Sequence, residues 1–146
     1  MEIFTIGFAQ TPAAEFFAKL KRSRVRRLLD VRLNNTSQLA AYAKRDDLRF
    51  FLGEICGAEY EHEPLLAPTQ DMLDAYKKQK GSWQEYERKF MDLMAQRQIE
   101  RNFDRDRFAT TPTVLLCSEH TAEYCHRRLV LEYLSDKWGD VVAVHL

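Results

Sequence analysis

The chain carries no excess of charge of either sign. Its 146 residues hold 22 Lys and Arg against 22 Asp and Glu, and the sequence pI is near 6.9. Proteins that coat a nucleic-acid backbone usually show a basic surplus, so wholesale nucleic-acid binding is not favoured, while a local anion pocket stays open. No apolar run reaches about 18 residues, which excludes a membrane-spanning helix. No charged leader or apolar signal core precedes the first strand at Ile3, so the expected compartment is the cytosol. Three cysteines, an odd number, fit a setting where thiols stay reduced. Repeats, linkers and low-complexity tracts are also missing. A length of 146 residues suits one domain over 1–146, and 45% hydrophobic with 30% charged residues is an ordinary globular composition.

What is present alternates between short apolar runs and amphipathic stretches. Ile3 to Ile6 reads as a strand closed by Gly7. Thr11-Pro12 opens a helix with proline at its first position, and Ala13, Phe16, Phe17 and Leu20 form its apolar stripe. The basic residues from Lys19 to Arg27 read as a solvated helix end rather than a nucleic-acid patch. Leu28 to Val31 is a second strand, ending in Asp30-Val31-Arg32. The polar stretch Asn34 to Gln38 is a loop that could close over a ligand, and Leu39 to Lys44 leaves room for a short helix.

Further along, Leu48, Phe51, Leu52 and Ile55 mark a helix capped by Asp46 or Asp47 and stopped by Gly57, with Cys56 taken as packing. Glu59 to His62 is a short strand ended by Pro64. Pro68-Thr69 starts a helix with Leu73 and Tyr76 inward, and Gly81 interrupts it. Ser82 with Glu85 fits a capping box. Trp83, Tyr86, Phe90, Leu93 and Met94 then share one face and read as core rather than a cofactor box. Asn102 to Thr111 reads as charged and irregular. Gly139 ends the last helix, and Val141 to Val144 is the last strand.

The chemistry gathers between Thr113 and Arg127. Thr113 to Leu116 is a buried strand, Cys117-Ser118-Glu119-His120 is the turn, and Thr121 can cap a helix with Glu123 in its first turn. That places Cys125-His126-Arg127 about one turn into the helix. Strands alternating with helices argue for an α/β fold: a single-domain, three-layer, Rossmann-like architecture with a mainly parallel sheet of about five strands. Open parallel sheets bind ligands beyond the carboxyl ends of their strands. Gly7, Asp30, Arg32, Cys117 and Glu119 therefore meet on one rim.

Cys117 is the nucleophile or polar anchor, since exposed N–H groups at a helix start and nearby Arg127 favour a thiolate. Glu119 and Asp30 divide the acid and base work if burial separates them. On the helical wheel His126 faces the crevice, between Cys125 at one margin of the inward face and Arg127 at the other. Arg32 and Arg127 suit a phosphate or carboxylate, and Asn34 can donate a hydrogen bond. Arg127 needs a carboxylate, Glu119 or Asp30, unless a ligand supplies the anion. The leading reading is a small hydrolase or transferase for an anionic, phosphorylated or nucleotide-like metabolite. Phosphatase chemistry of the Cys-x5-Arg type is disfavoured, because Glu123 occupies the arginine position.

Two other classes remain open: a zinc or iron site drawn from Cys117, His120, Cys125 and His126, and a nucleotide or nucleic-acid binding module using the basic run with Arg101, Arg105 and Arg107. A Cys117–Cys125 disulfide is a minor variant. No cofactor and no oligomeric state can be read from the residues.

Cys-x-Glu followed by Cys-His-Arg resembles the signature of the family catalogued as domain of unknown function 488. Thr5-Ile6-Gly7, Asp30-Val31-Arg32, and Tyr60 with His62 and Pro64 match it as well, so the resemblance spans nearly the whole chain. Many relatives read Thr-Ile-Gly-His-Ser where this chain has Phe8 and Ala9, so no histidine or serine role can be carried over there. The resemblance implies a fold and a site rather than a reaction.

Overall fold

Five short extended runs assemble into one sheet in the computed structural model, which describes residues 1–36 and 40–146. Strands β1 (Glu2–Gly7), β2 (Arg27–Asp30), β3 (Glu59–His62), β4 (Thr113–Cys117) and β5 (Val142–His145) lie in the order β3-β2-β4-β1-β5. Every neighbouring pair is parallel, as the alternation of strand and helix requires. The α/β expectation holds, with an all-parallel sheet.

Side chains leave alternate faces of each strand, and the two faces have separate cores. On one face, Ile6, Leu28, Val114 and Leu116 meet Phe16 and Leu20 of α1 (Ala13–Ser23) and Leu48 of α2 (Arg45–Phe51). On the other, Ile3, Leu29 and Leu115 meet a second helical layer. That layer holds α3 (Gln70–Lys77), α4 (Trp83–Arg97), α5 (Ile99–Asn102), α6 (Arg105–Thr110) and α7 (His126–Trp138). Phe90 and Met94 of α4 and Leu129, Val130 and Leu134 of α7 form its centre. Each such fully buried side chain stabilises the fold by about 1.5–3 kcal/mol. Three layers result. Among the described residues no helix is long and apolar enough to cross a membrane.

Several local expectations change. Pro12 stands one place before α1, extended, with its carbonyl accepting from Phe16 N–H. Asp46 and Asp47 lie inside the first turn of α2, whose cap residue is Lys44. A wider helical segment, Leu52–Cys56, follows α2, and it turns Ile55 outward to 37% exposure. Gly57 ends it at φ +62, a conformation that favours glycine. The 102–111 stretch is helical rather than irregular. Asp104 accepts a hydrogen bond from Asp106 N–H at the start of α6, and Phe108 is buried. Arg27 leaves the solvated basic run: it is buried, donates to Thr113 Oγ1 and lies 4.6 Å over the Phe108 ring. Arg105 and Arg107 are engaged by Asp140 and by Glu59 and Glu61.

The signature helix also starts later than Thr121. Helix α7 begins at His126 with Cys125 as its cap residue, so Ser118 to Tyr124 is loop. Ser37 and Gln38 of the expected ligand-closing loop, with Leu39, lie outside the described residues.

Candidate functional site

Parallel register brings three strand ends to one rim, with Gly7 opposite Cys117 and Asp30 opposite Leu116. A cavity of ≈ 200 Å³ opens there. Phe8, Tyr76, Trp83, Tyr86 and Tyr124 form aromatic walls. Cys117, Cys125 and His126, all buried, lie at its base, while the half-exposed Lys77 and Glu119 stand at the mouth. Arg32 and Asn34 also border it, whereas Gly7, Asp30 and Arg127 do not.

The sulfur centre follows from one strand end and one helix start. Cys117 closes β4 on the same face as Leu115, and His126 is the first residue of α7. His126 Nδ1 lies 3.7 Å from Cys117 Sγ. Its Nε2 lies 2.6 Å from the Val31 carbonyl oxygen, which can only accept, so Nε2 carries a proton. Nδ1 is thereby aimed at the sulfur. The Cys117 thiol is held well below the ordinary thiol range: a hydrogen bond from Cys125 outweighs burial, and the charge and hydrogen bond of His126 and the charge of Arg127 add to it. Burial and the neighbouring Cys117 push the Cys125 thiol well up. Burial alone would lower His126, yet the adjacent Cys117 sulfur and the Val31 carbonyl raise it.

Beneath them, Arg127 is 1% exposed. It donates to the Glu119 carbonyl at 2.7 Å, to Thr5 Oγ1 at 3.3 Å and to Cys125 Sγ at 3.5 Å. Neither carboxylate expected as its partner bridges to it; the backbone of Glu119 takes that place. Gly7 makes the contact feasible. A Cβ there would sit 1.6 Å from the Glu119 carbonyl oxygen, so the 118–119 loop could not cross β1. Ala9 N–H donates to the Ser118 carbonyl and fastens the same loop.

Asp30 and Arg32 belong to the opposite face. The Asp30 carboxylate, 0% exposed, receives Nε and Nη2 of Arg32 at 2.8 Å each, and the Tyr60 hydroxyl. Arg32 also donates to the Ala43 carbonyl and stacks over Phe8. Burial works against the Arg32 charge, and the hydrogen bond and charge of Asp30 together more than restore it. Burial, then Asp30, pushes the Tyr60 hydroxyl up, so it stays a donor. His62 Nε2 donates to the Arg32 carbonyl at 2.8 Å, and Asn35 Nδ2 donates to Tyr60 Oη. Tyr60 and His62, two of the residues behind the family resemblance, thus brace this ion pair.

The Glu119 carboxylate is engaged elsewhere, in an ion pair with Lys77 Nζ at 2.6 Å. Burial lowers Lys77, but the hydrogen bond and charge of Glu119 together leave it raised. Lys77 and Asn35 carry no motif that marks them as site residues. Asn35 sat inside the polar loop already singled out, whereas nothing local marked Lys77. Trp83, taken as core, is instead half-buried at the cavity wall, stacked on Tyr86 and edge-on to exposed Tyr124.

Cys117, Cys125 and His126 place their ligating atoms within 4.8 Å of one another, a donor set suited to a soft divalent cation. His120 stands apart from them. It is exposed, with Nδ1 3.0 Å from the Ala9 carbonyl.

No curated protein and no solved structure gives a match to the chain. The family described as Domain of unknown function DUF488 matches residues 12–134, which include β2, β3, β4, the 118–125 loop and most of α7. With most of its length covered by that match, the chain belongs to the Domain of unknown function DUF488 family.

Proposed function

We propose that the protein is a small hydrolase or transferase that works through a covalent adduct on Cys117 and takes a small anionic, phosphorylated or nucleotide-like substrate into the rim cavity. One observation carries this reading: the Cys117 Sγ, His126 Nδ1 and Val31 carbonyl chain at the base of that cavity. It supports a nucleophile and base held in register by a backbone acceptor. The Cys117 proton passes to His126 Nδ1, and the sulfur forms a bond to the electrophilic atom of the substrate. The bond to the leaving group breaks, and His126 returns the proton to that group. Water, or an acceptor substrate, then displaces Cys117. Because Nε2 is tied to Val31, the ring presents Nδ1 throughout.

Around this centre, Arg32 and Lys77 supply cationic walls and Asn34 a donor. Asp30 is a positioning residue for Arg32. Glu119 at the mouth is a second proton carrier, and Gly7 gives its loop room. Arg127 places a cation beneath the sulfurs.

The test is the pH dependence of iodoacetamide alkylation, followed by mass spectrometry at each cysteine. Cys56, whose thiol is pushed up by burial, serves as the internal standard. Cys117 should react fastest, with a midpoint below the ordinary thiol value of about 8.5. His126→Ala should raise that midpoint and slow alkylation at neutral pH at least about tenfold, the factor carried by one pKa unit. Cys117 reacting no faster than Cys56 would overturn the reading.

The convergence of Cys117, Cys125 and His126 favours a second reading, a zinc-type centre with its fourth position open to the cavity. Metal-bound histidines usually donate their other ring N–H to an acceptor, as His126 does to Val31. About one equivalent of zinc or iron in the purified protein, lost in Cys117→Ser, would replace the free-thiol reading.

A further inference from the structure

Covalent catalysis at Cys117 needs His126 and uses Cys125 only as a hydrogen-bond donor to the Cys117 sulfur. Cys125 is buried at the edge of the α4–α7 core, yet apolar packing does not account for all of its contacts. Its sulfur accepts from Arg127 Nη1, and its ligating atom lies within 4.8 Å of those of Cys117 and His126. It borders the same cavity as Cys117. Its side chain makes no cap bond to α7, so the helix start does not account for it. Both thiols are free, and the third cysteine, Cys56, packs against the opposite face of the sheet. Two reduced sulfurs side by side at the base of one cavity, with an imidazole and a guanidinium against them, form a reactive pair.

We propose that Cys117 and Cys125 form a dithiol redox couple that reduces small disulfides admitted to the rim cavity. The couple rests on the same Cys117 thiolate as the covalent mechanism. That thiolate attacks one sulfur of the substrate disulfide, forming a protein–substrate disulfide and expelling the first thiolate, which takes the proton that Cys117 had passed to His126. Cys125 then attacks the Cys117 sulfur. Its proton goes to the second leaving thiolate, and a Cys117–Cys125 disulfide remains. One disulfide has become two thiols, and the protein has lost two electrons and two protons. An external low-molecular-weight thiol restores the pair by exchange. Oxidation also removes the nucleophile, so any Cys117-dependent transfer stops until the pair is reduced.

The position of Cys125 is what makes the second step feasible. A resolving thiol must reach the first sulfur without the backbone moving far. Helix α7 starts immediately after Cys125, and Arg127 ties the preceding loop to the helix through the Glu119 carbonyl. That tie keeps the Cys125 sulfur beside Cys117 instead of leaving it on a free loop.

Oxidised glutathione is the probe, applied to the whole chain carrying Cys56→Ser so that only the pair remains. The expected product has lost both thiols, retains no glutathione, and yields a Cys117–Cys125 disulfide on peptide mapping. Cys125→Ser should retain one glutathione on Cys117, and Cys117→Ser should retain none. The product with both cysteines present carries the conclusion even if either serine variant unfolds. A stable glutathione adduct on Cys117 with Cys125 still reduced would overturn the couple. So would thiols that resist oxidised glutathione until a chelator is added, because the pair would then be metal ligands. If iodoacetamide alkylates Cys117 rapidly but no disulfide forms, the couple fails and the nucleophile survives. Failure of both reactions removes the nucleophile too. Substituting hydrogen peroxide separates the two oxidant classes: disulfide formation with peroxide alone would overturn the choice of disulfide substrates.

Discussion

Two polar clusters share the rim of this sheet and are built on opposite principles. Around Asp30, every charge is answered: the carboxylate takes two Arg32 donors and the Tyr60 hydroxyl, and Arg32 has a further backbone acceptor. Around Cys117, the buried cation Arg127 faces sulfur, hydroxyl and carbonyl groups, with no carboxylate among them. A buried ion pair with complete hydrogen bonding resists change, and breaking it is costly. A buried guanidinium without a carboxylate instead favours negative charge on whatever lies beside it, here a thiol. The first cluster is thus built as a brace, and the second is the one we propose for chemistry, although the sequence offered both as one site.

The comparison breaks most visibly at Asp30. Asp30→Ala leaves Arg32 buried and uncompensated, and should cost about 3–5 kcal/mol, measured by urea unfolding. In the protein that remains folded, the pH midpoint for alkylation of Cys117 should not move. A loss under about 1 kcal/mol would mean that the pair is no brace, since even exposed pairs reach that value. Gly7→Ala comes next. Its Cβ would overlap the Glu119 carbonyl, so the loop must shift, at a cost of about 1–3 kcal/mol. Unlike Asp30→Ala, it should also slow Cys117 alkylation, because the displaced loop leads into Cys125.

His126→Ala should show the converse pattern, with a modest stability change and a large chemical one. Cys117 is held down and His126 held up, in part by each other's charge. Removing the imidazole takes away one of the groups that favour the Cys117 thiolate, so the alkylation midpoint climbs. As pH falls through that midpoint Cys117 gains a proton and alkylation falls. An unchanged midpoint would return His126 to a packing role.

How much of this could be read beforehand differs between the two clusters. The strand ends were legible, because short apolar runs and parallel topology place Gly7, Asp30 and Cys117 on one rim whatever their contacts. The pairing of Asp30 with Arg32 was legible in principle: opposite charges two residues apart at a strand end reach each other before any ligand, and here Arg32 bends back just past β2 with its own N–H also on the Asp30 carboxylate. The start of α7 was not. Thr121 has the chemistry of a cap, but the 118–124 loop is held instead by Ala9 and Arg127, contacts that link distant parts of the chain. For Trp83 the helical stripe was right about the face. It could not show that the first turn of α4 overhangs the cavity while Phe90 and Met94 lie in the core.

The smallest effect probes the anion expectation itself. Lys77 and Glu119 form a half-exposed pair, with side chains 53% and 42% exposed. Solvent screens such a pair, so Lys77→Met should change stability by less than about 1 kcal/mol. Its charge at the mouth should still matter for what enters. Iodoacetate and iodoacetamide differ by one negative charge, so the ratio of their rates at Cys117 isolates that attraction. Lys77→Met should lower the ratio a few-fold and leave iodoacetamide unchanged, whereas Glu119→Gln should raise it, since Lys77 is then unopposed. Ratios that ignore both substitutions would leave Arg32, among the described residues, as the remaining lysine or arginine bordering the cavity, already matched by Asp30. The cavity would then select on its aromatic walls rather than on charge.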